Sequence, residues 1–149
     1  MRIFLDTNII MEFIGHRREY ENVRRILLTV QNGDNQGFIS QGCVYTLAFL
    51  IEKVLKENGV HRPKLTQTVR QMLSAVLRLL EPLGISRSDM LAAVCNEEFS
   101  DIEDSFQYQC ASTNRCGILI TLNIDDYKDA DQSRQEILTP SEFIDRYLS

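Results

Sequence analysis

Arg2-Ile3-Phe4-Leu5-Asp6-Thr7-Asn8 is the stretch from which the fold is read. Its short apolar run, ended by three polar residues that favour helix starts, predicts a buried strand leading straight into a helix. Gly117-Ile118-Leu119-Ile120-Thr121 is a second such run and the clearest strand in the chain. Between them, Asn22–Gln31 carries Val23, Ile26, Leu27 and Val30 on one helical face, and a polar Gly-bearing loop leads to a minimal strand at Phe38-Ile39 with Ser40 as a helix cap. Cys43–Leu55 is apolar nearly all round and predicts a buried helix closed by Asn58-Gly59. Thr66–Leu80 predicts an amphipathic helix, Pro82–Ile85 a short strand, and Ser86–Asn96 and Ser100–Asn114 two more helices. After a polar loop, Ile137-Leu138 leads to Thr139-Pro140-Ser141-Glu142, a capping box with proline at the first helical position. Short apolar strands alternating with helices predict an α/β fold around a parallel sheet, with ligand chemistry at the carboxyl ends of the strands.

The 149 residues suit one domain, 1–149, without repeat or linker. A 44% hydrophobic and 25% charged composition argues against disorder, and no apolar run approaches the ~20 residues a membrane crossing needs. Asp6 interrupts the apolar N-terminus where a signal peptide would continue, so a cytoplasmic protein is expected. Cys43, Cys95, Cys110 and Cys116 form no C-x-x-C pair, and His16 and His61 add little, so a zinc site is disfavoured. The 16 basic against 21 acidic residues give a net charge of −5, which argues against a grip on nucleic acid by bulk positive charge.

The acids themselves point to chemistry. Asp6 follows the first strand, and Asp125-Asp126 follow Gly117–Thr121 across a short turn, so they can converge above the sheet. Asp101 and Asp104 share a helical face at about 5–6 Å between Cβ atoms, which suits two carboxylates bordering one divalent cation. Each also has a structural reading: Asp6-Thr7-Asn8 as a helix cap, and Ser100 with Glu103 as a capping box that would fully account for Glu103. Carboxylates held close repel unless a cation neutralises them, and oxygen-only ligands favour Mg²⁺ or Mn²⁺. Such an ion can activate water and neutralise a phosphoryl oxygen, so metal-dependent phosphodiester hydrolysis is one available chemistry.

Four segments in order resemble the PIN domain, a family of metal-dependent nucleases that includes the VapC toxins. Ile3-Phe4-Leu5-Asp6-Thr7-Asn8-Ile9-Ile10 is similar to its first-strand motif, and Asp101-Ile102-Glu103-Asp104-Ser105-Phe106-Gln107-Tyr108 to the D-x-E-D-x-x-Q form of its central helix. Ile120–Tyr127 resembles the T-x-N-x-x-D-[FY] motif, and Leu138–Phe143 the closing segment. The resemblance implies a three-layer α/β/α sandwich with a central parallel sheet and an acidic pocket for Mg²⁺ or Mn²⁺. It implies Asp6, Asp104 and Asp126 as catalytic acids and, with Asp101, as metal ligands, supported by Thr7, Asn8, Asn123 and the Thr46 position. It further implies an endoribonuclease acting on RNA, the toxin of a toxin–antitoxin pair with a small antitoxin partner, and a homodimer.

The resemblance departs at one place. Many members carry a Glu on the helix after the second strand where this chain has Thr46, and Glu52 lies on a different face of that helix. Thr brings no charge, so a second reading stands beside the first: a degenerate PIN domain that binds RNA or protein without cutting. A receiver-like domain is disfavoured, because no acceptor Asp follows Phe38-Ile39 and no Lys follows Gly117–Thr121. Arg17-Arg18 and Arg24-Arg25 are the candidate RNA contacts. Asp6, Asp101, Asp104, Asp125 and Asp126 together equal the whole acidic excess, so bound divalent cations would remove the electrostatic objection to an RNA substrate.

Overall fold

A computed structural model describes residues 1–149. Five parallel strands, β1 (Arg2–Leu5), β2 (Gln36–Ser40), β3 (Glu81–Leu83), β4 (Ile118–Ile120) and β5 (Glu136–Leu138), form one sheet in the order β3-β2-β1-β4-β5. Helices α1 (Thr7–Ile14), α2 (Tyr20–Gln31), α3 (Gln41–Glu57), α4 (Lys64–Leu79), α5 (Arg87–Val94) and α6 (Ile102–Thr113) lie between the strands, and α7 (Pro140–Phe143) follows the last of them. A 3₁₀ turn at Ile124–Tyr127 and a π-type turn at Ile144–Leu148 complete the chain. The α/β sandwich expected from the strand–helix alternation is thus present, with both faces of the sheet covered.

Burial on both faces explains why the strands read as unbroken apolar runs rather than alternating ones. Successive side chains point to opposite faces. Ile3, Leu5, Ile39, Ile118, Ile120 and Leu138 enter the larger core, with side chains of α1, α2, α3 and α7. Phe4, Phe38, Leu119 and Ile137 enter the smaller one, with Phe99, Cys110, Ala111 and Tyr127. Register follows the same pattern, Phe4 pairing with Phe38 on one side and Leu119 on the other.

The chain runs outward from β1 to β2 and β3, then returns to place β4 on the opposite flank of β1. The β1–β4 junction is therefore the topological switch point, where the carboxyl ends of parallel strands leave a crevice. Asp6 closes β1 there, its N–H bonded to the Ile120 carbonyl at 3.0 Å.

Two local expectations are corrected. The α6 N-cap is Asp101, whose carboxylate accepts the Asp104 N–H at 3.1 Å, so Ser100 and Glu103 do not form the capping box. Helix α3 is not buried all round. Cys43, Leu47 and Ile51 are its buried residues, Val44, Leu50 and Leu55 pack against the core half-buried, and Tyr45 and Phe49 are 82% and 67% exposed. Hydrophobic content alone does not reveal which side of a helix meets the sheet, and here an i, i+4, i+8 stripe does so. The box at Thr139 and Glu142 forms as expected, and Ser86 with Asp89 makes another at the start of α5.

Gly37 in β2 is required by close approach: a Cβ there would lie 2.5 Å from Leu80 Cδ2 and 3.0 Å from both Val30 methyls. Leu80 is buried and cannot swing away. Gly37→Ala is expected to cost about 1–3 kcal/mol and to lower the melting temperature by several degrees in thermal denaturation.

Candidate active site

The switch-point crevice is built around Asp6, which is buried yet engaged in no ion pair. Its Oδ1 accepts the Thr7 N–H at 2.8 Å and the Gln107 amide at 3.1 Å. Its Oδ2 accepts the Thr121 hydroxyl at 2.8 Å and the Tyr127 hydroxyl at 3.1 Å, with the Asn8 amide at 3.4 Å. Burial, then the Asp6 charge, push the Tyr127 hydroxyl pKa upward, so it stays protonated and remains a donor. Charge-assisted hydrogen bonds of this kind make a buried carboxylate tolerable. Asp6 is also the N-cap of α1, so the side chain that lines the pocket is the one that caps the helix.

Helix α6 presents the other acids. Asp104 is buried, and burial first, then the charges of Asp6, Asp101 and Asp126, push its carboxyl up to about 7. Asp126, from the 3₁₀ turn, acts on Asp104 from outside the helix. Burial and the charges of Asp6 and Asp101 likewise raise Glu103. A pocket of about 460 Å³ is lined by Asp6, Thr7 and Asn8, by Asp101, Glu103 and Asp104 of the α6 start, by Thr46 and Lys53 of α3, and by Arg17 and Asn123.

The structure thus brings Asp6, Asp101 and Asp104 to one pocket with Thr7, Asn8, Thr46 and Asn123, whereas Asp126 does not line it and reaches Asp104 through its charge. Asp125 turns instead to a separate hollow shared with Lys128. Thr46 donates its hydroxyl to the Gly42 carbonyl of its own helix. Glu52 pairs with Lys56 and Arg62, away from the pocket. Arg24 is paired with Glu21, whereas Arg17 borders the acids.

The acids line the pocket without converging into a formed metal-binding cluster of three or more. The donor set is oxygen-only, which fits a hard divalent cation.

Three contributors were not singled out from the sequence. Gln107 donates to Asp6 and to the Thr7 hydroxyl and accepts the Ser40 hydroxyl at 2.6 Å, tying α6 to β1 and β2. Thr121 and Tyr127 hold Asp6 from β4 and the following turn. All three stand inside the quoted motif segments, but their contacts cross up to 121 positions of sequence, which no local pattern reveals. A fourth, Lys53, lies outside those segments and carries a charge like that of any exposed helical lysine.

A family model of the PIN domain matches residues 2–125. The chain belongs to the PIN domain family. The structure also resembles a chain in the crystal structure of VapBC2 from Rickettsia felis bound to a DNA fragment from their promoter. The TM-score is 0.65 at 21% identity, covering 92% of this chain and 98% of that one. Among curated proteins no sequence matches. The structural likeness establishes a shared fold for this PIN domain, and its site is argued from its own residues. No helix is long and apolar enough to cross a membrane.

The Asp104 carboxyl makes stability depend on pH. The unfolded chain ionises this group near the ordinary 3.8, whereas the folded protein keeps the proton up to about 7. Between those values the folded state binds more protons, so metal-free stability falls as pH rises through the window. Asp104→Asn mimics the protonated acid. In EDTA at pH 8 it should melt a few degrees above wild type, with the two converging near pH 4. A lower melting temperature at pH 8 would instead show a structural Asp104.

Proposed function

We propose that this PIN domain is a Mg²⁺- or Mn²⁺-dependent endoribonuclease that hydrolyses RNA phosphodiesters, the toxin of a toxin–antitoxin pair. The observation that carries this reading is the crowding of Asp6, Asp101, Asp104 and Asp126 at the switch point, with the Asp104 carboxyl pushed to about 7 and no basic side chain paired to any of them. An arrangement that is unfavourable without a cation is the arrangement a cation-dependent site requires. Asp6, Asp101, Asp104 and Asp126 would hold the ion, which when bound activates water and neutralises charge on a phosphoryl oxygen. Asp6 is fixed by Thr7, Gln107, Thr121 and Tyr127, so that side chain contributes charge at an invariant position. Arg17 and Lys53 stand where the phosphates flanking the scissile one would approach.

The toxin reading draws on the fold shared with a VapBC2 chain. It carries with it a small antitoxin partner, a homodimer and a cytoplasmic location. Exposed Tyr45, Phe49, Met90, Leu91 and Val94 on α3 and α5 supply apolar surface for protein contacts. Thr46 favours a second reading, a degenerate PIN domain that binds RNA or protein without cutting.

Cleavage of an RNA panel separates the two. With Mn²⁺ or Mg²⁺ the wild type should cut, EDTA should stop it, and Asp104→Asn should lose about 10²-fold or more. Lys53→Ala should weaken RNA binding and lower its salt dependence by about one phosphate contact. No cleavage by wild type, together with salt-dependent RNA binding, would establish the non-catalytic reading.

A further inference from the structure

We propose that Glu103 supplies, from the first turn of α6, the carboxylate that the Thr46 side of the pocket lacks, and that it is a metal ligand of this chain. The inference rests on the proposed metal-dependent site and assigns one more residue to it. Glu103 is not occupied by helix capping, because Asp101 performs that role and Glu103 accepts no hydrogen bond there. Its side chain lines the same pocket as Asp6, Asp101, Asp104 and Thr46, so it stands at the acids and next to the uncharged position at once. It also lines the adjoining groove of about 480 Å³ with Thr46, which places it on the ridge between the two hollows.

The other carboxylates are partly committed. The lone pairs of Asp6, about four in a carboxylate, already accept four protein donors within 3.1 Å. One Asp101 oxygen holds the Asp104 N–H, and Asp104 is the most deeply buried acid of the α6 start. Glu57 also borders the pocket, but from the C-terminal end of α3, where Lys53 one turn away faces the same hollow. Glu103 is the carboxylate beside Asp6 and Asp101 with both oxygens uncommitted. Its extra methylene gives it the reach to shift toward an ion without moving the helix.

Mn²⁺ titration by calorimetry on the full chain tests this, with wild type, Glu103→Gln, Asp104→Asn and the double variant Glu103→Gln/Thr46→Glu. Glu103→Gln is expected to weaken Mn²⁺ binding about 10-fold or more while leaving the metal-free melting temperature equal or higher. Thr46→Glu in that background should recover binding, because it returns a charge to the pocket from α3. Wild-type affinity in Glu103→Gln, with binding lost in Asp104→Asn, would overturn the Glu103 assignment and leave the site intact. So would a loss that Thr46→Glu does not recover. Absence of Mn²⁺ binding by wild type would overturn the metal-dependent reading itself and the assignment with it.

Discussion

A single buried carboxylate organises the molecule. Asp6 receives hydrogen bonds from the β1–α1 turn, from α6, from the end of β4 and from the 3₁₀ turn that follows it. The donors in the last three lie over a hundred residues from Asp6 in sequence, and they meet it where β4 returns to pair with β1. An ionised group inside the protein without these donors would cost several kcal/mol, so the donors must all be in place when the strands pair. The geometry of the site is in this sense a condition of folding rather than an addition to a finished fold. Gln107 illustrates it, since the amide that holds Asp6 also accepts the hydroxyl of Ser40, the residue that caps α3.

The two sides of the crevice are built on opposite principles. Around Asp6 both oxygens are hydrogen-bonded, each to two donors within 3.1 Å. Along α6, Asp104 sits among like charges with its carboxyl pushed to about 7, and nothing in the protein neutralises it. A rigid, satisfied acid facing a strained, unsatisfied one is what a cation site needs: one fixed point of charge and one group that gains when the ion arrives. The metal-free fold therefore loses stability as pH rises through the window in which Asp104 ionises.

Much of this was legible in the sequence, and the reason is local. Strands buried on both faces must be apolar throughout, so Ile3-Phe4-Leu5 and Ile118-Leu119-Ile120 announce themselves without reference to anything else. Asp6, Asp101 and Asp104 could be singled out because each ends a strand or opens a helix. What escaped reading depended on tertiary placement. Tyr45 and Phe49 look like core until the orientation of α3 is known. The α6 cap moved from Ser100 to Asp101 because both residues can serve and only the entry angle of the chain decides. That one-residue shift is what released Glu103 from a capping role and put it among the site acids.

The same shift bears on the net charge of −5. Taken over the whole surface, such a charge repels a polyanion, but the potential an RNA strand meets at the crevice is local. Arg17 and Lys53 stand at the pocket with the acids, whereas Arg24, Lys56, Arg62 and Arg146 are tied to Glu21, Glu52 and Glu136 elsewhere. Asp125 is turned away to Lys128. The acidic excess at the pocket therefore consists of the α6 acids with Asp6 and Asp126, counting Glu103 where the sequence had counted Asp125. A divalent ion held there would remove most of the repulsion and leave two uncommitted cations beside it. On the proposed reading metal and RNA would be thermodynamically coupled: each would lower the electrostatic cost of admitting the other, and by linkage the factor by which the ion strengthened RNA binding would be the factor by which RNA strengthened ion binding.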